Sequence, residues 1–465
     1  MEPPRRPVAQ TCLPEKYTDR RFERSRFDAG SAHAKQKGTP MIVSRRNILS
    51  ATAAGGVMTT TLAQAARFGN PDSPAQGSDA AKGNPASITD PGPRNPTLGS
   101  QFPNSEAPPS TDHGSLPNFW FPFEQANKRI QDGGWTREVT ERELPIAKTL
   151  AGVDMRLTAG GIRELHWHKP AEWAIVLYGN ARITGFDQAG RSFVDDVSAG
   201  DLWNFPSGIP HSIQGLEPDG TEFLLVFDDG AFSEYSTFLP TQWMAHTPPE
   251  VLAKNFGIPA VAFSKIPLHE LYIFQSIVPG PLAADQQAAK GPQGSTPETF
   301  SYRLMKQKPN FSSPAGEVRI VDKSNFPIAS TIAAAHVIVR PGAMREMHWH
   351  PNADEWQYYI AGDGRMGVFA AGENINTKDF HAGDVGYVPR SMGHYIENTG
   401  STDLVFLEIF RSPYYSSISF SQWLSHLPPA LVQAHFNLST ETLNALSKTE
   451  QTVIAGKPLA NGKTG

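Results

Sequence analysis

From about residue 118 onward the chain alternates short apolar runs with Gly, Asp and Pro turns. "AEWAIVLYG" (171–179), "ARITGF" (181–186), "EFLLVF" (222–227) and "TIAAAHVIVR" (331–340) are brief and mostly rich in β-branched or aromatic residues. Such runs predict strands, and their close spacing predicts an all-β sandwich or barrel. The pattern also repeats. "GDLWNFPSGIPH" (200–211) aligns with "GDVGYVPRSMGH" (383–394) at an offset of 183, and "EFLLVFDDG" (222–230) aligns with "DLVFLEIFRS" (403–412). Behind each copy lies a helix candidate, 240–257 and 419–438, sharing Gln-Trp, a histidine and a Pro-Pro pair. The chain therefore reads as two copies of one β domain, residues 117–290 and 291–465, each followed by a short helical segment. Residues 67–116 are dense in Pro, Gly, Ser and Asn and predict a linker, then an arm laid over the fold.

Composition adds exclusions. The 465 residues carry 41 Lys plus Arg against 46 Asp plus Glu, a net charge of −5 that offers no basic field for a nucleic acid. The one cysteine, Cys12, excludes an intramolecular disulfide and a thiolate metal cluster. Residues 41–66, "MIVSRRNILSATAAGGVMTTTLAQAA", combine paired arginines, a weakly apolar stretch and the small-residue pattern Ala63-Gln64-Ala65. This segment resembles a bacterial twin-arginine export signal. It implies a periplasmic or secreted protein with Met41 as initiator and residues 1–66 as upstream residues plus signal. A transmembrane helix needs about 20 mostly apolar residues, so no stable membrane anchor is expected.

The candidate chemistry sits in "GGIRELHWHKPAEWAIVLYG" (160–179) and "GAMREMHWHPNADEWQYYIAG" (342–362). Strand alternation turns His166 and His168 to one face and Trp167 to the other, and treats His348, His350 and Trp349 alike. Glu172 lies four residues past His168 and Glu355 five past His350, a difference that a bulge or a wider turn absorbs. His211 and His394, each 39 residues beyond its glutamate, complete two sets of three imidazoles and one carboxylate. Zinc would close such a set as a tetrahedron, whereas octahedral manganese(II) or iron(II) keeps two positions open for substrate or oxygen. Trp167 and Trp349 read as packing residues at a domain or subunit contact. His246 and His426 read as structural, and Asp195, Asp196, Asp228 and Asp229 as turn and rim residues.

The set Gly160, His166, His168, Glu172, Gly179, with its second copy Gly342, His348, His350, Glu355, Gly362, resembles the first motif of the cupin superfamily. The second motif is carried by Gly200, Pro206, Gly208 and His211, with Gly215 in place of its final Asn. In the other copy it is carried by Gly383, Pro389, His394 and Asn398, with Ser391 in place of its inner Gly. These departures bear on turn geometry, not on the ligands. The resemblance implies two tandem cupin domains of the jelly-roll, double-stranded β-helix type.

Across roughly residues 95–450 the chain further resembles the bicupin oxalate decarboxylases. That resemblance implies two Mn(II) ions per chain, dioxygen as co-catalyst, oxalate as the substrate converted to formate and carbon dioxide, and a homo-hexamer. It implies Arg163 and Arg345 as partners of the oxalate carboxylate. Glu234, in the lid "SEYS" (233–236), would accept and then return a proton, while Glu408 and Tyr415 are the second copy's acidic group and its neighbour. Tyr235 stands where the familiar bacterial lid carries Asn, which bears on the balance of products. The first site is expected to turn over, since it alone is followed by the lid. Two alternatives stand beside this reading: an oxalate oxidase, which releases peroxide because it lacks the lid acid, and a storage or binding bicupin without turnover.

Overall fold

The computed structural model describes residue 93 and residues 95–456; Cys12, the signal-like segment 41–66 and linker residues 67–92 lie outside them. In the first copy one long strand, Glu172–Phe186, runs through both layers of a sandwich. Its first half pairs with Thr221–Phe227 and Leu202–Phe205, its second with His211–Gly215 and Ser192–Ser198, all antiparallel. The crossing from layer to layer falls at Gly179, φ +72°, where a Cβ would stand 2.0 Å from the Gly220 carbonyl oxygen. Only glycine fits there. The second copy makes the same crossing with two strands, Glu355–Ala361 and Asp363–Ala370, on either side of Gly362 at φ +82°.

The run "EWAIV" is apolar after its first residue because both of its faces are buried. Alternate residues Ala174 and Val176 fill the first barrel, while Trp173 and Ile175 point into a core shared with the second copy. Trp356, Tyr358, Leu407 and Ile409 enter that shared core from the other side. Burying one such large apolar side chain contributes on the order of 2–3 kcal/mol. The copies also exchange strands across the 290/291 boundary. Trp120–Pro122 pairs with Asp384–Val388, and Ser301–Tyr302 pairs with Leu202–Trp203. The arm before residue 117 lies on the second copy, where Asn104 donates twice to Asp379 and Thr377 donates twice to Asp112.

Each helix candidate is divided in two at its Pro-Pro pair, into Pro240–Ala245 and Pro249–Phe256, and into Phe420–Ser425 and Pro429–Phe436. Proline disfavours helical backbone in the residue before it and has no N–H to continue the ladder, so the second proline restarts the helix. Among the described residues no helix is long and apolar enough to cross a membrane.

Candidate metal centres and the pocket above the first

Arg163 and His166 are three residues apart, so regular alternation would send them to opposite faces. The pairing of Gly161–His166 with His211–Gly215 slips between Arg163 and His166, and the same slip occurs between Arg345 and His348 in the second copy. The irregularity turns Leu165 (59 % exposed) and Met347 (52 %) outward and leaves Arg163, His166, Arg345 and His348 all buried. It also sets His166 opposite His211 and His348 opposite His394. Glu172 and Glu355 occupy matching registers, opposite Phe205 and Phe227 and opposite Val388 and Phe410. The extra residue between His350 and Glu355 is thus taken up in the turn 351–354. Ser391 adopts φ +67°, close to the +76° of Gly208, and each donates its N–H to the carbonyl of the second histidine, His350 and His168, at 3.0 Å. The motif departure at Ser391 leaves the ligand turn in place.

In each copy the four donor atoms lie within 4.8 Å of one another, and all eight residues are buried. Every Nδ1 faces a backbone carbonyl: His166 that of Glu164 at 2.6 Å, His168 that of Pro170 at 2.7 Å, His211 that of Ile209 at 2.7 Å. In the second copy His348 faces Glu346, His350 faces Ser416 and His394 faces Met392. A carbonyl only accepts, so each Nδ1 carries the proton and each Nε2 turns a bare lone pair inward. Burial, reinforced by the neighbouring Arg163 and Arg345, holds His166 and His348 well below the usual imidazole range and therefore neutral. Glu355 Oε2 and His394 Nε2 stand 2.8 Å apart with no hydrogen-bond partner. Two acceptors at that distance call for a cation between them. Neighbouring donors at right angles on an ion 2.0–2.1 Å away would be about 3 Å apart, which matches His168 to Glu172 at 3.1 Å and His348 to His350 at 3.1 Å. The residues fit a divalent ion in both copies.

Beyond the ligands the two centres differ. Arg345 is fully buried, and its Nε donates to Glu408 Oε1 at 3.0 Å while Nη2 donates to the Tyr415 hydroxyl at 2.8 Å. Burial alone would weaken its charge, but Tyr415 and Glu408 more than offset that and raise its pKa. Arg163 has no such strand carboxylate. The first-copy position matching Glu408 is Leu225, since Glu408 pairs with Gln357 as Leu225 pairs with Ala174. The Arg163 guanidinium rests over the Tyr272 ring, 4.6 Å from its centroid, and burial pulls its pKa down, only partly opposed by Glu234, Glu172 and Glu164. It is a buried cation short of counter-charge.

Glu234 reaches the first centre from a 3-10 turn, Glu234–Ser236. Its side chain is 7 % exposed, and it lines a small pocket with Arg163, His166, His168, Glu172 and Thr237. Burial and the adjacent Glu138 push its carboxyl up to about 7, against the pull of Arg163 and Arg129. Tyr235, the next residue, is 78 % exposed.

Several residues with structural authority over these centres were missed by sequence reasoning. Glu164 and Glu346, each next to its arginine, are buried. Glu164 accepts the N–H groups of Leu271 and Tyr272 at 2.8 Å and the Thr241 hydroxyl; Glu346 accepts those of Gln451 and Thr452 and the Ser419 hydroxyl. Each thereby fastens a late segment whose carbonyl, Tyr272 or Thr452, accepts from the arginine. The repeated Arg-Glu dipeptide was the available signal. Trp203 donates to Glu172 at 2.8 Å, and Gln357 donates to Glu355 at 2.7 Å. Trp167 stacks on Phe238 and meets Trp243 edge-on, and Trp349 meets Trp423 edge-on. His246 and His426 bond the carbonyls of Gln242 and Gln422 at their helix ends, away from both centres. Asp195 joins Ser301 and Arg303, Asp196 joins Arg182, and Asp228 and Asp229 accept turn amides.

The cupin family profile matches residues 122–261 and 302–444. Oxalate decarboxylase OxdC of Bacillus subtilis (strain 168) is 54 % identical over 365 residues, covering 78 % of this chain and 94 % of that protein. Oxalate decarboxylase of Arthroderma benhamiae is 37 % identical over 391 residues, covering 78 % and 90 %. A solved structure of the Bacillus subtilis oxalate decarboxylase, from work on its Mn(II) centres, superposes with a TM-score of 0.76 over 78 % of this chain and 96 % of that one. With its two matched cupin domains and this degree of identity along nearly the whole length of its relatives, the chain belongs to the cupin family and, within it, to the two-domain oxalate decarboxylases.

Proposed function

We propose that the protein converts hydrogen oxalate to formate and carbon dioxide, with Mn(II) in both centres and turnover at the first. The observation that carries this reading is the pairing, in one pocket, of a buried, only partly compensated arginine with a carboxyl group raised to about 7. Oxalate has no internal electron sink, so its carbon–carbon bond breaks readily only after an electron is withdrawn; manganese with dioxygen supplies that one-electron chemistry.

This chain's residues do the rest. Arg163 pairs with one carboxylate of the substrate and holds it against the open side of the ligand set. Glu234 takes the remaining acidic proton from a substrate oxygen, the carbon–carbon bond breaks with loss of carbon dioxide, and Glu234 returns the proton to the carbon that becomes formate. A carboxyl group serves both as base and as acid when its pKa lies near the working pH, which is what burial achieves for Glu234. The apolar walls, Val153, Leu225, Phe227 and Phe232, exclude water that would compete with Glu234 in delivering the proton. At the second centre Glu408 already neutralises Arg345, which disfavours a second anion there.

The exposed aromatics Trp243 and Trp423, repeated on both copies, support self-association, and the Arg45-Arg46 pair with Ala63-Gln64-Ala65 supports export. Incubating the manganese-loaded protein with oxalate under air, with formate and peroxide measured in parallel, tests the central reading. Formate well in excess of peroxide is expected. Peroxide without formate would make the protein an oxidase, and no product from loaded protein would make it a binding protein.

A further inference from the structure

We propose that Glu138 is a positioning residue that latches the Glu234 turn over the first centre. The inference rests on Glu234 being the proton carrier. The strand Gly134–Val139 runs beside the pocket, and alternate positions on it, Thr136 and Glu138, face the turn. Glu138 Oε1 accepts the backbone N–H of Glu234 at 2.9 Å, while its Oε2 accepts from Arg142, a side chain 57 % exposed, at 2.8 Å. Thr136 stands beside the Glu234 carboxyl and shares a 2.8 Å hydrogen bond with the Tyr272 hydroxyl.

The other hydrogen bonds of the turn's backbone amides close within the turn itself. Tyr235 donates to the Ser233 hydroxyl, Ser236 to the Ser233 carbonyl, and Thr237 to the Glu234 carbonyl. The Glu234 side chain is met by Thr136 and, at 3.8 Å, by Arg129, and just past the turn Phe238 exchanges two backbone hydrogen bonds with Trp167. With the far end of the turn pinned at Phe238, the bond to Glu138 is the one that ties the Glu234 amide itself to the barrel, and a bond to a charged acceptor is the stronger kind.

The second copy supplies the control. Strand Gly316–Val321 matches Gly134–Val139, since Gly134 pairs with Leu157 as Gly316 pairs with Val339. Its residues at the two latch positions are Val318 and Ile320. Polar side chains at these positions occur in the copy that carries the inward-facing glutamate on a loop, and apolar ones where the carboxylate, Glu408, is built into a strand.

The test compares full-length, manganese-loaded wild type, Glu138→Leu and Glu138→Gln. Leucine removes the acceptor; glutamine keeps an oxygen at the same reach. In Glu138→Leu, hydrogen–deuterium exchange over 231–237 should accelerate about tenfold or more. Formate kcat should fall about 10–100-fold with KM for oxalate little changed, because misaiming a catalytic group by about 1 Å has that effect. Manganese should stay at the wild-type level in both variants. Glu138→Gln, whose neutral oxygen accepts a weaker bond, should restore part of the exchange protection and part of the turnover, a rescue that a general loss of stability would not produce. Exchange and turnover in Glu138→Leu within twofold of wild type would overturn the latch, as would a Glu138→Gln no better than the leucine variant. If Glu138→Leu does not fold, the wild-type Glu234 amide decides: exchange at the unprotected rate overturns the proposal, and protection upholds it. Wild type that makes no formate yet loses protection on mutation leaves the latch standing and removes the functional reading instead.

Discussion

The two metal centres share their four ligands, their histidine tautomers and the strand slip that brings an arginine inside, yet they differ in where the next carboxylate comes from. In the second centre it is Glu408, fixed on a strand and bonded to Arg345 at 3.0 Å. In the first it is Glu234, carried on a short turn, with Leu225 at the strand position. A carboxylate built into a strand is held against its arginine, although burial raises the pKa of Glu408 too. One on a turn leaves the arginine free for an anion and can itself gain and lose a proton. The duplicated scaffold thus gives a saturated centre and an unsaturated one, separated by a leucine, a glutamate and the segment that holds it.

The comparison breaks most directly at the two glutamates. Glu234→Ala should lower formate production by about 10²–10⁴-fold, the range of general acid–base catalysis, with manganese retained, whereas Glu408→Ala should cost far less. Steady-state assays with metal analysis decide it, and the reverse ranking would move the active centre to the second copy. A smaller effect is expected from Leu225→Glu, which plants the second centre's carboxylate beside Arg163. KM for oxalate should rise about 10–100-fold, the loss of one charge-assisted bond, while the neutral Leu225→Gln should raise it much less. Equal KM values for the two variants would show that Arg163 does not bind the substrate.

The smallest effect separates Asp154 from His336, which occupy one position in the two copies, opposite Leu224 and opposite Leu407. Burial, then Glu222, raises Asp154 to about 8, and burial, then Arg319, lowers His336 to about 4. The folded state holds the Asp154 proton where the unfolded chain has released it, so this stabilising contribution is complete below about 4 and is lost as pH rises to about 8. For His336 the unfolded chain takes up a proton first, so its contribution is present above about 6.5 and is lost as pH falls to about 4. Urea midpoints across this range should decline less toward alkaline pH in Asp154→Asn and less toward acid pH in His336→Gln. Unchanged slopes in both would remove burial as the cause.

All eight ligands were legible because the chemistry demands near neighbours in sequence: two histidines two residues apart, a glutamate one turn on, and a third histidine on the paired strand. The duplication, and with it the fold, was legible for the same reason. Arg163 was reached only through resemblance, since plain alternation would have placed it opposite His166; the slip in pairing at Leu165 has no sequence signature of its own. Glu138, Thr136 and Trp203 were invisible for a different reason. Glu138 meets Glu234 across 96 residues and Trp203 meets Glu172 across 31, contacts created by the approach of distant strands. The helix candidates were correct in place but not in continuity, because a Pro-Pro pair that marks a repeat also interrupts the ladder.

The exchange of Trp120–Pro122 and Ser301–Tyr302 between the copies makes each half depend on the other. Severed at the junction, each half would keep its own metal ligands but bare a strand rim, the kind of template on which polypeptides stick to one another. Two barrels joined in this way cannot readily part, because each closes the other's edge.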